Sequence, residues 1–435
     1  MKIFRIAIVG AGPAGYYAAQ ALRNSESEQI RFSIDMFEKL PTPWGLVRSG
    51  VAPDHPKIKS VAKVFDKIAS EENFRLFANV ELGKDIAIDE LKANYDSVVI
   101  AIGSSVGNKL GIPGEDLIGS ISSSEFVPWY NGHPDFADLE IPLDCKTAVI
   151  IGAGNVAMDV ARALGLNPEE FEKTDMATYA ISALHDSKIR EVHICARRAP
   201  EHVSFTAPEI RELPHFEQTS ILINAQEISS ALTRIDSEGE EAKDIKGILA
   251  SMLAIAQENK PKQDRLINFH FLLTPKENNG KDRVEEIVFS VNEMQDGKVV
   301  ATEQTFSIKC GLIVTAIGYN TSPIPGIEIE DGKVKNSDGF VSDNVYVVGW
   351  AKRGPSGVIG TNKSDSAEVM QILVNRLSEP KSDLDFKTIL ENRGTQYLTQ
   401  QNWEKINNFE INAGEELGKP RLKIIKRAEF LKFRN

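Results

Sequence analysis

Residues 3–15 read Ile-Phe-Arg-Ile-Ala-Ile-Val-Gly-Ala-Gly-Pro-Ala-Gly. An apolar run meets three glycines at the spacing Gly10-x-Gly12-x-x-Gly15. The chain then continues through Tyr16 to Asn24 in a helix-like stretch. A strand that is apolar without alternation is buried on both faces, as in a parallel sheet covered by helices. Gly10 permits the tight turn, Gly12 lets a pyrophosphate approach the backbone, and Gly15 lets helix and strand pack closely. The diphosphate then rests on the helix N-terminus, where free N–H groups and the helix dipole favour negative charge. The next strand, Phe32-Ser-Ile-Asp-Met-Phe37, ends at Glu38. An acid there accepts hydrogen bonds from a ribose with free hydroxyls, which points to FAD or NAD.

The same unit occurs a second time. Thr147-Ala-Val-Ile-Ile151 leads into Gly152-Ala153-Gly154-Asn155-Val156-Ala157 and a helix through Leu164, with alanine in place of the third glycine. The following strand, Glu191 to Cys195, is succeeded by Arg197-Arg198 where the first copy has its acid. Two guanidiniums at that position attract a 2′-phosphate and favour NADPH; a solvated surface pair is the alternative. One chain with an acid-coded and an arginine-coded fold holds two different dinucleotides. Nicotinamide delivers hydride, and a flavin accepts it and passes electrons on singly.

Outward from these units, Val98 to Gly103, Gly311 to Gly318 and Asn344 to Gly349 are further apolar runs ending at glycine. The predicted fold is α/β, with two doubly wound, Rossmann-like dinucleotide-binding domains, the NADP domain inserted in the FAD domain. The expected limits are 1–108 and 322–435 for the FAD domain and 109–321 for the NADP domain. Within the insertion, Ile245 to Ala256 is predicted helical, and 237–241 and 260–263 are predicted surface loops. A length of 435 residues is too long for one ordinary core and suggests two or three domains.

The net charge of −12 argues against non-specific binding to nucleic acid or lipid. Cys145, Cys195 and Cys310 are the only cysteines; they form no CxxC pair and cannot supply the four ligands of an ordinary iron–sulfur cluster. Any one-electron iron centre is therefore expected on another molecule, and no metal site is predicted. The thiols read as core residues of a reduced intracellular protein. The apolar segment Thr147 to Leu166 contains Asp159 and Arg162, so no membrane span is expected. The N-terminal apolar run enters the glycine turn at once, which suits a strand better than a signal peptide. A cytoplasmic location is expected, or an organelle matrix if a presequence was removed.

Residues 41–57, Pro-Thr-Pro-Trp-Gly-Leu-Val-Arg-Ser-Gly-Val-Ala-Pro-Asp-His-Pro-Lys, resemble the flavin-loop signature of adrenodoxin-reductase-type ferredoxin–NADP⁺ reductases. Residues 349–362, Gly-Trp-Ala-Lys-Arg-Gly-Pro-Ser-Gly-Val-Ile-Gly-Thr-Asn, resemble that family's second flavin signature. Arg197-Arg198-Ala-Pro with Phe205-Thr206 and Glu209-Ile-Arg-Glu212 is similar to its NADP segment, and Gly418-Lys-Pro-Arg-Leu-Lys423 to its tail. The resemblance spans essentially the whole chain. Trp44, where phenylalanine is often found, Ala199 and Glu201-His202 are small departures. Gly349-Trp350 stands where many two-dinucleotide flavoproteins have Gly-Asp, which separates this chain from the disulfide reductases.

The resemblance implies FAD contacts at Ala14, Glu38, Leu46, Val80, Trp350, Gly357, Val358 and Ile359. It implies NADPH contacts at Ala153, Gly154, Asn155, Val156, Arg197, Arg198, Glu209 and Gly357. It also matches His55 and Glu212 to the pair near the flavin and nicotinamide. Read from the residues alone, Thr206-Ala-Pro-Glu209 is a capping box, so Glu209 has a purely helical role as its alternative. The implied activity is hydride transfer between NADPH and FAD and single-electron transfer to a ferredoxin-type iron–sulfur protein. The alternatives are a flavin subunit of a glutamate-synthase-like complex, expected to carry a cysteine-rich cluster domain, and a silent scaffold, against which both intact fingerprints argue. Arg211, Lys243, Lys246, Lys57 and Lys59 are the candidate basic docking residues for an acidic partner.

Overall fold

The computed structural model describes residues 1–235, 240–258, 262–381 and 385–434. The chain forms two compact units. One comprises Met1–Val106, Asn131–Ala137 and Gly318–Asn435, and the other Gly107–Tyr130 and Asp138–Ile317.

The first unit is built on a six-stranded sheet in the order Phe340–Ser342, Val345–Val347, Ser97–Ile100, Lys2–Val9, Ile30–Glu38, Phe74–Ala78. Every neighbour pair is parallel except the first. The register sets Val9 beside both Phe37 and Ile100, so three strand ends align at the glycine turn. The apolar run of the first strand fills two cores: Phe4, Ile6 and Ile8 pack on one face, Ala7 and Val9 on the other. Each large side chain buried this way stabilises the fold by about 1.5–3 kcal/mol. Double-sided burial is why the sequence shows no period-2 alternation.

The second unit carries a parallel six-stranded sheet in the order Ser120–Ser122, Leu312–Thr315, Thr147–Ile151, Glu191–Cys195, Arg265–His270, Thr219–Leu222. A three-stranded antiparallel sheet, Leu273–Asn279, Glu286–Gln295 and Lys298–Lys309, belongs to the same unit. Ile287, Phe289 and Ile308 of that sheet share a core with Val149, Ile151 and Ile313 of the parallel one. Cys195 and Cys310 lie in this core, and Cys145 is half-buried.

The helix expected over Ile245 to Ala256 spans Glu240–Gln257 and follows another at Ala225–Arg234. Of the loops expected at 237–241 and 260–263, residues 237–239 and 260–261 lie outside the described residues. Among the described residues no helix is long and apolar enough to cross a membrane.

Candidate functional site

In the first unit the glycine turn closes as its spacing requires. Gly10 has φ +109°, and a Cβ there would lie 2.4 Å from the Ala101 carbonyl oxygen. At Gly15 a Cβ would meet the Gly10 carbonyl oxygen at 2.1 Å. The helix Pro13–Asn24 opens from Gly12, with proline at its start, where no intrahelical N–H partner is lost. Ala14 is buried beside the turn.

Glu38 ends the second strand and is 7% exposed. Its carboxylate accepts from the Ala11 N–H at 2.8 Å and from the Leu40 N–H at 2.9 Å. Burial pushes the carboxyl above its ordinary value against those two hydrogen bonds. The acid thus sits at the strand end where the sequence expects it and ties the glycine turn to that strand end. Val80 is buried behind it and donates its N–H to the Glu38 carbonyl at 2.8 Å.

The loop that follows turns back on the fingerprint. Trp44 adopts φ +81° and donates its N–H to the Ala11 carbonyl at 2.7 Å. Gly45, at φ +52°, brings its backbone so near that a Cβ would meet the Gly12 Cα at 2.9 Å. Leu46 begins the short helix Leu46–Ser49 and is 43% exposed. His55 is half-buried at the start of the short helix Pro56–Lys59, with its N–H on the Ala52 carbonyl at 3.1 Å.

Trp350 follows Gly349 and donates its indole N–H to the Ser356 carbonyl at 3.2 Å. Gly357 adopts φ +76°, Val358 is 64% exposed and Ile359 is half-buried. Sequence reading missed Asp365. It is buried, accepts the Gly349 N–H at 2.7 Å and the Lys352 ammonium at 2.9 Å, and pairs with Arg353 at 3.2 Å. The signal was present in part: an acid inside a helix, Thr361–Arg376, that begins at the end of the second flavin signature.

In the second unit Gly152 has φ +136°, and a Cβ there would meet the Ala316 carbonyl oxygen at 2.3 Å. The helix Asn155–Gly165 opens from Gly154. The segment at Ser204 bridges to Gly154; Ser204 donates to the Ala153 carbonyl at 2.8 Å and Thr206 N–H to the Asn155 side-chain oxygen at 2.8 Å. Val156 lies half-buried in the first turn of that helix, and Ala157, fully buried, occupies the third-glycine position.

Arg197 and Arg198 follow the strand Glu191–Cys195 and are both exposed. Their backbone is held by the Asn292 amide on the Arg197 carbonyl at 3.0 Å and the Leu272 N–H on the Arg198 carbonyl at 3.2 Å. Neither guanidinium makes an ion pair among the described residues.

The capping box expected at Thr206 does not form. The helix Ala207–Glu212 has no side-chain cap, because the Asn155 side chain has taken the Thr206 N–H and the Glu209 carboxylate turns elsewhere. Glu209 is buried and ion-paired with Arg162, itself 1% exposed and bonded to Asp159 at 2.5 Å. Arg162 carried a sequence signal, a charge inside an apolar helix, which registered there only as an obstacle to a membrane span. Glu212 ends the helix and is half-buried.

Two glycine turns on two largely parallel sheets, with an acid at the next strand end of one and two arginines after that of the other, are the frame of a two-dinucleotide oxidoreductase. The description "Pyridine nucleotide-disulphide oxidoreductase" matches residues 4–211. The NADPH-ferredoxin reductase FprA of Mycobacterium tuberculosis is 40% identical over 456 residues, covering 99% of each chain. The mitochondrial NADPH:adrenodoxin oxidoreductase of Bos taurus is 36% identical, over 98% of this chain and 91% of that one. The structure of the M. tuberculosis FprA in complex with NADPH superposes with a TM-score of 0.95 at 39% identity, over 99% of each chain. The chain belongs to the family of adrenodoxin-reductase-type NADPH–ferredoxin reductases.

Proposed function

We propose that the protein is an NADPH–ferredoxin oxidoreductase, with FAD on the first unit, NADPH on the second and a small ferredoxin-type iron–sulfur protein as electron acceptor. The observation that carries this reading is the opposite chemistry of the two ribose positions: a buried carboxylate at Glu38 and two exposed, unpaired guanidiniums at Arg197 and Arg198.

The residues of the first unit fit FAD. A carboxylate has about four acceptor sites, and Glu38 uses two of them on Ala11 and Leu40. The remainder suit ribose hydroxyls. Leu46 and Val358, exposed although large and apolar, offer surface for a flavin to cover. Bound FAD supplies the conversion between hydride and single-electron chemistry. The protein's own contribution is position. Gly10, Gly12 and Gly15 shape the diphosphate seat, and Ala14, Val80, Trp350, Gly357 and Ile359 line the proposed flavin side.

On the second unit Ala153, Gly154, Asn155 and Val156 form the proposed diphosphate seat of NADPH, and Arg197 and Arg198 clamp its 2′-phosphate. Glu209, held by Arg162, fixes the helix Ala207–Glu212 beside that seat. His55 and Glu212 are the proposed nicotinamide-side residues, acting through orientation and proton traffic because hydride transfer depends chiefly on position. Arg211 is exposed on the helix Ala207–Glu212, which packs against the helix Glu240–Gln257 that carries Lys243 and Lys246. This basic group is the proposed docking surface on the second unit, and Lys57 and Lys59 are the candidates on the first. Three free thiols suit a reducing compartment, the cytoplasm or an organelle matrix.

The test is anaerobic rapid mixing of the yellow protein with NADPH, followed by candidate ferredoxins. The flavin is expected to bleach and then to recolour as ferredoxin is reduced, and denaturation should release FAD. Release of FMN, or no bleaching by NADPH, would remove the reading.

A further inference from the structure

The tail motif Gly418–Lys423 has no role in the function so far described, yet its side chains enter the interior of the first unit. Glu410, on the helix Gln400–Glu415, is completely buried. It takes the Arg48 guanidinium in two bonds of 2.7 and 2.6 Å, Arg421 at 3.1 Å and the Ile424 N–H at 2.8 Å. Burial alone would push this carboxyl up, but the Arg48 charge and its other donors hold it below its usual value. Lys423 is buried as well and donates to the Arg48 carbonyl at 3.1 Å and to the Asn131 carbonyl at 3.0 Å. The tail crosses the helix at Gly414, where a Cβ would lie 2.4 Å from the Arg421 Cα.

The Glu410 and Lys423 bonds meet at Arg48, in the loop that faces the first glycine turn. Arg48 lies in the short helix Leu46–Ser49. Trp44, four residues before Arg48, holds φ +81°, a conformation costly for a bulky side chain that persists only where its surroundings impose it. Trp403 packs edge-on against Trp44 at 4.8 Å, and the Arg421 guanidinium lies 5.3 Å from its ring. Trp44 and Arg48 are thus both held by carboxyl-terminal residues.

We propose that residues 410–424 form a clasp that positions the flavin-facing loop Trp44–Ser49, with Glu410 as the positioning residue, so that the tail sets how tightly FAD is held. The proposal rests on the reading that the first unit binds FAD. A buried guanidinium–carboxylate pair is a weak source of net stability, because desolvation offsets its attraction. Its geometric effect, two directed bonds that fix one backbone segment against another, has no apolar substitute.

The test uses the full-length protein and measures FAD dissociation by recovery of flavin fluorescence, with the visible circular dichroism of the bound flavin as a second readout. Glu410→Gln is expected to weaken FAD at least about tenfold, in line with the loss of one charge-assisted bond. Lys423→Met removes the donor to the Arg48 and Asn131 carbonyls and is expected to weaken FAD about threefold to tenfold. The paired change Arg48→Met/Glu410→Gln removes the buried guanidinium while keeping an acceptor for Arg421 and the Ile424 N–H, and so separates positioning from mere stability: melting of the FAD-free protein should recover relative to Glu410→Gln, while the weak FAD affinity and altered dichroism persist. Folded Lys423→Met and double variants whose FAD affinity and dichroism match wild type would overturn the clasp alone. A wild-type protein that fails to bind FAD would overturn the underlying reading and the clasp with it.

Discussion

Replacing Arg197 and Arg198 together by alanine should damage the use of NADPH far more than that of NADH. The strand end they occupy should survive the change, because its backbone is held independently of both side chains: Asn292 and Leu272 bond the two carbonyls, and Ala196 N–H bonds the His270 carbonyl at 2.9 Å. What is lost is two exposed guanidiniums with no ion-pair partner among the described residues. A hydrogen bond to a charged group contributes about 1.5–3 kcal/mol, and exposure to solvent places these at the lower end. Two such bonds amount to about 3 kcal/mol, or about 100-fold in kcat/KM. The assay is flavin-dependent dye reduction with each nucleotide, in wild type and double variant. The NADPH/NADH ratio of kcat/KM should fall by about 100-fold, and by less at high salt, where the phosphate–guanidinium attraction is screened. An equal loss with both nucleotides would show that the arginines do not read the 2′-phosphate.

His55→Ala should slow flavin reduction at saturating NADPH while FAD stays bound, and an unchanged rate in rapid mixing would leave His55 as an ordinary loop residue. Arg211→Glu should raise the KM for ferredoxin and leave NADPH-driven flavin reduction nearly intact. Ferredoxin reduction should also fall with salt as the screening length shortens to about 8 Å at physiological ionic strength; a rate indifferent to both would place docking elsewhere. His133, buried and accepting the Asp135 N–H at 3.1 Å, has its pKa driven down by burial from 6.5 to about 4. The unfolded chain therefore takes up this proton more readily, so His133 contributes stability above pH 6.5 that is progressively lost as pH falls towards 4, about 3 kcal/mol across that window. Melting of His133→Asn should show a shallower loss between those pH values, by about one proton's worth, and an identical slope would refute the assignment.

The parts of the molecule legible in its sequence are those whose cause is local. The first strand reads as buried because Phe4 to Val9 supplies apolar side chains to two cores at once. Gly10 and Gly152 read as turns because carbonyl oxygens of Ala101 and Ala316 occupy the space of a side chain. Glu38, Arg197 and Arg198 stand out as candidates because a strand end fixes where to look. Contacts between distant segments carried no such mark. Arg162 and Glu209 are 47 residues apart, and Arg48 and Glu410 are 362 apart. Nothing in the composition of Asn131–Ala137 announces that it packs with the first unit. At Thr206 the local rule was legible and lost, since the side chain of Asn155, from another helix, satisfied the N–H that the capping box would have used.

These distant pairs share a placement that bears on their role. In each unit one fully buried guanidinium–carboxylate contact ties a segment beside the glycine turn to another part of the same unit. Arg48–Glu410 anchors the loop that brings Gly45 against Gly12, and Arg162–Glu209 anchors the helix that follows the Ser204–Gly154 bridge. Stability alone would favour apolar replacements at such sites, because desolving two ions costs roughly what their attraction returns. What the ionic pairs add is direction, for a guanidinium accepts few arrangements against a carboxylate and an aliphatic contact accepts many. The seats proposed for the two dinucleotides are made largely of backbone and glycine, which have no side chains with which to hold themselves in place. Rigid polar ties one layer further in supply the positional accuracy that hydride transfer demands, where a displacement of about 1 Å costs about 100-fold in rate.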